Sequence, residues 1–444
     1  MVGLENRDFR VTQVAVIGAG WAGAAAALTL ARSGIKVTVF EATKTVGGRA
    51  RGIEKEGHCF DNGQHLLLGA YWRSLSMIGS LHAAVDGVIL RLPLGLNTAP
   101  GRAPASMLRL QAPNVMAPLH LLFAIARAHG FSFGDKLATL AWTTRHLREP
   151  LASDTATVSE LIATQPEPVR RLLWEPLCVA ALNTLPDSAS AQVFIEVLRR
   201  AFTGDTRASD LIIPRIDLSQ LLPAPAMTEV VKLGGDLRLA SPVLSIKQNE
   251  SAALVAVRNE VLEFDRAIIA TGPQHVSRLV NDELTAQGIA RALSELKYEP
   301  ITTLHLEFSW VMPGVAAGML MLDADPGQWL FWQQTANGHW RASVVISAYR
   351  QAQSDGQMIA AALAQLRRGY QLPEPTRQLA ITEKRATYAC TPDQTRLLAT
   401  LPKRIGRLLF AGDWCFPELP ATLEAAVISG ENAAFSILKD CASG

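Results

Sequence analysis

Residues 14–42 read VAVIGAGWAGAAAALTLARSGIKVTVFEA, and this stretch decides the fold class. A short valine-rich run leads into Gly18, Gly20 and Gly23, which have Gly-x-Gly-x-x-Gly spacing. A helical pattern, a second apolar run and the acid Glu41 follow, with the acid about 20 residues on. This order predicts a Rossmann-like α/β unit, in which Glu41 accepts hydrogen bonds from ribose hydroxyls.

Each glycine of the turn has its own physical reason. Gly18 permits the tight turn, Gly20 lets the backbone approach a pyrophosphate, and Gly23 lets the helix pack closely on the sheet. A helix is predicted over residues 24–32, and its N-terminal end, next to Trp21 and Ala22, offers unpaired N–H groups and partial positive charge to phosphate oxygens. We therefore predict that these residues bind the phosphates of a dinucleotide.

A second pair of glycines, Gly47 and Gly48, stands directly before Arg49. The planar fork of an arginine matches the oxygens of a phosphate. Because a short loop after Glu41 should pass the same cleft, we predict that Gly48 and Arg49 contact the pyrophosphate. The alternative interpretation is an exposed basic loop.

The chain returns to the same cofactor near its C-terminal end. Residues 264–271 form a predicted strand that ends at Thr271 and Gly272. Residues 407–410 form another, and Gly412 and Asp413 follow it. We predict that Thr271, Gly272 and Gly412 line the cofactor cleft, and that Asp413 binds the ribityl chain or a phosphate.

A long helix is predicted over residues 421–438, with prolines before its first turn. Its start, near Thr422 and Leu423, is placed to stabilise negative charge on a reduced flavin ring. A nicotinamide enzyme needs no such return, so FAD is the predicted cofactor. No second Gly-x-Gly-x-x-Gly unit occurs in the sequence, so we expect an external electron donor whose identity stays open.

Bulk composition narrows the class of protein. The chain of 444 residues is too long for one compact hydrophobic core, so we expect two domains. Hydrophobic residues make up 49% of it, which is enough for large cores and an apolar cavity. A net charge of +2 gives no reason to expect a nucleic-acid partner. The five cysteines have no metal-ligand spacing, so no metal site is predicted. Residues 1–10 lack a signal-peptide core, and we expect a cytoplasmic protein.

One apolar run, residues 115–128 (VMAPLHLLFAIARA), has two interpretations. It is too short to span a bilayer, which takes about 20 residues. The favoured interpretation is a buried helix of a cap domain. The alternative is a helix that lies in a membrane surface beside a lipid entrance, which would make the protein peripheral on the inner membrane.

Several longer strings carry a family resemblance, from DNGQHLLLGAY at residues 61–71 to GDWCFPELPATLEAAVISG at residues 412–430. With LLWEPLCVAALNTLPDSASAQVF, LIIPRIDLSQLLPAPA and EKRATYACTP between them, the sequence resembles the hydroxysqualene dehydroxylases. These belong to the amine oxidase and phytoene desaturase superfamily. The resemblance implies a discontinuous FAD-binding domain, in which the Val243 backbone meets the adenine. It also implies reductive removal of the hydroxyl of hydroxysqualene to give squalene, for hopanoid or related lipid synthesis in bacteria.

The string DNGQH contains the candidate catalytic residues. The reaction that the resemblance implies needs an acid for the departing hydroxyl and a hydride from flavin N5. His65 titrates near neutrality, and burial would make Asp61 a proton donor. A water held by Gln64 or Asn183 is a further candidate. Under the opposing interpretation, Asp61 belongs to a turn and His65 is a core residue.

The predicted fold class is α/β, with a Rossmann-like FAD-binding domain that is discontinuous and an inserted α+β substrate-binding cap. The FAD-binding domain is assigned residues 1–70, 227–297 and 383–444, and the cap residues 71–226 and 298–382. A proline-rich stretch, residues 222–226, is the best candidate for a linker.

Three other functions stay open on the sequence alone. A polyene desaturase or isomerase keeps the cofactor and an oily substrate, but oxidises that substrate. A flavin amine oxidase usually has an aromatic residue where Thr422 stands, so this alternative is weaker. A prenyl-lipid carrier on the same fold would need no flavin, and the intact glycine fingerprint speaks against it.

Overall fold

The computed structural model describes residues 13–443, apart from residues 56, 104–105, 114, 116–118, 150, 152, 204, 206, 281, 283–287, 311–314, 336–337 and 349–352. The polar segment at residues 1–10 lies outside the described residues. So do residues 116–118 of the apolar run.

The described strands, in chain order, are β1 (Gln13–Ile17), β2 (Lys36–Phe40), β3 (Gly52–Lys55), β4 (His58–Asp61), β5 (Leu67–Leu68), β6 (Ile89–Leu92), β7 (Gly95–Asn97), β8 (Arg109–Gln111), β9 (Leu211–Pro214), β10 (Asp236–Arg238), β11 (Ser245–Gln248), β12 (Ala253–Val257), β13 (Glu260–Phe264), β14 (Arg266–Ile269), β15 (Tyr298–Phe308), β16 (Gly318–Met321), β17 (Trp329–Gln334), β18 (Trp340–Ser347), β19 (Arg377–Tyr388), β20 (Arg404–Ile405) and β21 (Leu408–Phe410).

The described α-helices are α1 (Trp21–Arg32), α2 (Trp72–Leu81), α3 (Val85–Val88), α4 (Leu119–Arg127), α5 (Phe133–Arg148), α6 (Val158–Ile162), α7 (Glu167–Val169), α8 (Glu175–Leu182), α9 (Ala191–Phe202), α10 (Leu218–Leu221), α11 (Pro223–Lys232), α12 (Pro273–Leu279), α13 (Ile289–Ser294), α14 (Asp355–Arg367), α15 (Pro392–Thr400) and α16 (Leu423–Ser443).

The central sheet joins segments that are far apart in sequence. Its strand order is β10-β2-β1-β14-β21-β20, and only the pair β20–β21 is antiparallel. β1 and β14 read as continuous apolar runs because both faces of a parallel sheet are covered. The predicted α/β class with a Rossmann-like sheet is confirmed.

The first and last long helices pack against each other on one face of this sheet. Gly430 of α16 lies on α1, where an added Cβ would be 2.1 Å from the carbonyl oxygen of Ala22. Alanines of α1 such as Ala25 are fully buried, so the two backbones approach closely. The two ends of the described chain therefore form one unit.

A second layer is an antiparallel sheet of order β16-β17-β18-β15-β19. One face, which includes Leu304 and Val344, packs on α14. The other face contributes Trp329 and Phe331 to a large apolar cluster that includes Phe194 of α9, a helix of the region predicted as a cap. The alternation of apolar residues with period two along β15 places its two faces in different surroundings.

Two sequence interpretations need correction. The proline-rich stretch near residue 223 is no linker, because it begins the helix α11 with Pro223 in the first turn, where proline needs no N–H partner. The apolar run near residue 120 contains a helix, but that helix is buried on one face only. Its α4 part buries Leu121 and Ile125 but exposes Phe123.

Candidate functional site

The glycine turn after β1 forms a cradle with no room for a side chain at Gly18 or Gly23. Gly18 has φ +102°, and a Cβ there would lie 2.8 Å from the carbonyl oxygen of Ala270. A Cβ on Gly23 would lie 1.9 Å from the carbonyl oxygen of Gly18. α1 begins at Trp21, and the N–H groups of its first turn have no acceptor inside the helix. The turn therefore offers donors and positive potential to an anion.

Glu41 closes this cradle at the end of β2. It is buried, one carboxylate oxygen accepts from Ala19 N at 2.9 Å, and the other accepts from the amide and hydroxyl of Thr43. A carboxylate has about four lone-pair positions, so acceptor capacity remains. The predicted adenine contact lies close by, because Ser241 N donates to the Glu41 carbonyl two residues before buried Val243.

The Gly-Gly-Arg loop lies directly on the first turn. Gly47 N donates to the carbonyl of Ala19 at 2.9 Å. Gly48 has φ +64°, and a Cβ there would lie 3.2 Å from the Cα of Gly20. The structure thus brings Gly20 and Gly48 together, as the prediction of one shared cleft requires.

Arg49 and Asp413 are joined by an ion pair across 364 residues of sequence, with Nη2 and Oδ1 2.6 Å apart. Arg49 also donates to the Ala386 carbonyl. Burial lowers the pKa of Arg49, but the charge of Asp413 and its hydrogen bond raise it more, so the pKa lies above its ordinary value. The Arg49 guanidinium therefore stays charged where the two ends of the chain meet.

The two predicted return turns are neighbours as well. β14 and β21 are adjacent parallel strands, so Thr271 and Gly412 lie at the same edge of the sheet. Buried Trp414, which the sequence interpretation missed, donates from Nε1 to the Thr271 carbonyl at 3.2 Å. Ligands of open α/β sheets bind at the carboxyl ends of the strands, where these turns lie. Gly272 caps the start of α12 beside them.

The helix α16 begins at Leu423, and Thr422 Oγ1 accepts from Ala425 N at 3.2 Å. Next to them, the carboxylate of Glu424 accepts from Arg73 N, Ser74 N and Ser74 Oγ. Burial raises the pKa of Glu424. This acid joins the start of α16 to the start of α2, a long-range contact with no local sequence signal.

Asp61 ends β4 and is turned toward α10. Its Oδ1 accepts from Leu218 N at 2.8 Å. Burial raises the pKa of Asp61 to about 7, and the nearby carboxylate of Asp217 also raises it. Asp61 is thus protonated over part of the neutral range, as a general acid requires.

His65 has different surroundings. Its Nδ1 lies 2.9 Å from the Gly63 carbonyl, so Nδ1 carries the hydrogen and Nε2 of the neutral ring is an acceptor. Burial lowers the pKa of His65, and the Arg49 guanidinium lowers it further. Gln64 N donates to Thr303 Oγ1 and its side chain donates to the His65 carbonyl. The structure therefore places His65 on the Arg49 side and Asp61 on the α10 side of the same loop.

Two polar residues of β15 hold this loop and were missed in the sequence. Thr303 accepts from Gln64 N, and the His305 ring lies against Phe60 with Nδ1 3.0 Å from Ser343 Oγ. Burial lowers the pKa of His305 to about 4. The alternation of Thr303 and His305 with the leucines of β15 was the available signal.

Comparison with known proteins places the chain in a family. A family profile described as "Flavin containing amine oxidoreductase" matches residues 21–438. Hydroxysqualene dehydroxylase of Rhodopseudomonas palustris is 30% identical over 96% of this chain and 98% of its own length. The chain belongs to the hydroxysqualene dehydroxylase family. The Sinorhizobium fredii member of that family is 27% identical over 95% of this chain and 97% of its own length.

Solved structures with the same fold have low sequence identity. Putrescine oxidase with bound putrescine has a TM-score of 0.71 at 18% identity, over 96% of this chain and 99% of its own. Cyclohexylamine oxidase of Brevibacterium oxydans has a TM-score of 0.71 at 20% identity, over 97% and 99%. This likeness concerns the fold alone.

Membership of the hydroxysqualene dehydroxylase family makes the protein an FAD-dependent oxidoreductase. The residues present fit that cofactor, because a glycine turn without room for a Cβ at Gly18 or Gly23, a helix start and a buried acid meet at one edge of the sheet. In the described part of the chain, no helix is long and apolar enough to cross a membrane.

Proposed function

We propose that the protein reduces hydroxysqualene to squalene with FAD. The alcohol takes up one proton and one hydride equivalent and releases water, so that a carbon–oxygen bond is replaced by a carbon–hydrogen bond. The observation that carries the proposal is the contact of the loop at residues 61–65 with the Gly-Gly-Arg loop that lies on the glycine turn, since Asn62 is hydrogen-bonded to the backbone of Arg49 and Arg51. Relatives with the matching name support the choice of substrate.

FAD in its reduced form supplies the electron pair when bound. We expect the turn at Gly18 and Gly20 to hold its pyrophosphate, Glu41 its adenosine ribose, and the Arg49–Asp413 pair its phosphate and ribityl region. All of these contacts come from elements that the central sheet holds rigidly, which favours accurate placement of the cofactor.

We expect a long isoprenoid to bind among the apolar residues of the cap. Trp329 and Phe331 on the sheet, Phe194 on α9 and Trp174 all belong to one cluster between the second sheet and the cap helices. Such surroundings exclude water, and aromatic ring faces stabilise a positive charge that develops on a carbon chain.

Within the loop, Asp61 is the proposed proton donor. Its pKa of about 7 keeps a proton available at neutral pH, whereas His65, with a lowered pKa, is mostly uncharged. His65 then accepts a hydrogen bond through Nε2, and Gln64 orients the loop through its contacts. Asp61 and His65 thus have different proposed roles because their surroundings shift their pKa values in opposite directions.

Anaerobic incubation with reduced FAD and hydroxysqualene, followed by mass spectrometry, tests the proposal. We expect squalene as the product, and the Asp61→Asn variant to retain FAD while losing most turnover. Replacement of exposed Glu418 by Gln serves as the matched control and should leave turnover unchanged. Formation of conjugated polyenes from squalene-type substrates would overturn the proposal.

A polyene desaturase is the second candidate. The 15-cis-phytoene desaturase of Synechococcus elongatus is 23% identical over 96% of this chain and 96% of its own length. The direction of electron transfer separates the two, because a desaturase reduces FAD with its substrate. A protein without flavin absorbance that cannot be reconstituted would instead support a lipid carrier.

The proposed substrate partitions into lipid, so we further propose that the enzyme works in the cytoplasm at the surface of the inner membrane. The electron donor is then a diffusible reductant or a membrane carrier, and comparing these two classes as reductants in the same assay distinguishes them.

A further inference from the structure

Two neighbouring helices of the cap present apolar side chains outward. On α4, Leu119 and Phe123 are 44% and 43% exposed. On α5, Phe133 and Leu137 are 78% and 51% exposed. The two helices pack on each other and are joined by a short turn at residues 128–132. We call these four side chains the cap patch.

Basic residues lie on the helices of the cap patch and on the neighbouring strand β8. The guanidinium of Arg127 lies 5.6 Å from the centre of the Phe123 ring, and Lys136 lies beside Leu137 on α5. Exposed Arg109 of β8 is hydrogen-bonded through its backbone to exposed His129. The acid of this region, Asp135, accepts from Ser132 N in a capping box. Apolar side chains with a cationic rim are typical of surfaces that bind anionic lipid.

The inner faces of the same helices belong to the apolar cluster of the cap. Leu121 and Ile125 of α4 and Trp142 of α5 share that cluster with Trp329 and Phe331 of the second sheet. The cap patch therefore lies on the outer side of the layer whose inner side adjoins the proposed substrate region.

We propose that the cap patch docks on a bilayer of anionic lipid, so that isoprenoid substrate passes from the membrane into the cap. This inference rests on the proposed function for the identity of the substrate, but not for the docking itself. A second copy of the chain is a poorer partner. Pairing of two cap patches would bring the basic residues of both copies into one interface.

Flotation with vesicles tests the docking, with phosphatidylcholine alone compared with about three parts phosphatidylcholine to one part phosphatidylglycerol. We expect the holoenzyme to float with the anionic vesicles. The double variant Phe133→Ser/Leu137→Ser should bind them about tenfold more weakly or worse, since it removes the two most exposed apolar side chains of the cap patch, which would insert into the bilayer. The matched control Leu244→Ser/Val261→Ser removes two side chains that are 55% and 62% exposed elsewhere, and should bind as the wild type does.

The charge variant Arg127→Glu/Lys136→Glu should lose the preference for anionic vesicles. Wild-type binding by the cap-patch double variant would overturn the proposal, as would a wild-type protein that fails to float. A wild-type dimer that the double variant converts to monomer, without vesicle binding, would assign the patch to a second copy and also overturn it.

Activity assays keep this result separate from the proposed function. The double variant should act normally on substrate dispersed in detergent and slowly on substrate held in vesicles. Failure of the proposed function would remove turnover in both media but leave flotation unchanged. Failure of the docking would leave turnover equal in wild type and double variant.

Discussion

Gly23 has no room for a side chain, because a Cβ there would lie 1.9 Å from the carbonyl oxygen of Gly18. Because this clash is with a backbone atom, a side chain at residue 23 could be accommodated only if the backbone of the turn moved. We predict that Gly23→Ala weakens FAD binding at least about tenfold by displacing the N–H groups at the helix start. Bound flavin is measured by absorbance after gel filtration. Gly356→Ala, where a Cβ meets open space, is the control and should bind FAD normally.

Asp61 should make both stability and activity depend on pH. Its pKa of about 7 in the folded protein exceeds the ordinary value of 3.8. The folded state therefore binds more protons than the unfolded state between these values, and stability falls as pH rises through this range. Asp61→Asn should abolish that fall, so that between about pH 5 and pH 8 the free energy of unfolding of the variant changes by about 2–3 kcal/mol less than that of the wild type.

Urea unfolding of both proteins at about pH 5, where Asp61 of the folded protein is protonated, and at about pH 8, where it is mostly ionised, measures this difference. If Asp61 is the proton donor, wild-type turnover also declines as pH rises above about 7, because the acid loses its proton. Parallel pH profiles of stability in wild type and Asp61→Asn would contradict the assigned pKa.

The start of α2 depends on an acid from the other end of the chain. The carboxylate of Glu424 accepts from two amides and one hydroxyl of Arg73 and Ser74. We predict that Glu424→Ala destabilises the fold by about 1–3 kcal/mol, since it leaves these donors buried without an acceptor. Denaturant unfolding checks the loss. Alanine at exposed Glu418 should change the free energy of unfolding by less than about 0.5 kcal/mol.

Bound FAD should stabilise the whole fold against unfolding, because the proposed FAD contacts come from both ends of the chain and from its middle. Native-state binding stabilises a protein by mass action, by about 2.7 kcal/mol when free ligand is a hundredfold above Kd. We predict that removal of FAD lowers the midpoint of thermal unfolding and that added FAD restores it in proportion to the logarithm of its concentration.

Riboflavin provides the control for this experiment, because it lacks the pyrophosphate and the adenosine that the glycine turn and Glu41 are proposed to bind. It should restore much less stability than FAD at equal concentration. Equal restoration by the two compounds would place the binding energy in the ring and contradict the role of the first turn.

Much of the fold could be predicted because its signals are local. Gly18 and Gly23 stand where a backbone approach forbids a Cβ, and that requirement shows in sequence as glycine at a fixed spacing. The α/β order of strands, turns and helices likewise depends on short-range periodicity. The linker prediction for the proline-rich stretch was wrong, since Pro223 fits the first turn of α11, and Met227 and Val230 of that helix are buried against α1.

The sequence by itself determined the class of fold, the cofactor and the string of candidate catalytic residues, since each prediction depends on short motifs whose residues are neighbours in the chain. Tertiary structure alone decided the pairing of Arg49 with Asp413, the separate surroundings of Asp61 and His65, and the outward face of α4. The physical reason is that pKa, ion pairing and exposure depend on what packs nearby, and in this chain those neighbours come from segments hundreds of residues away.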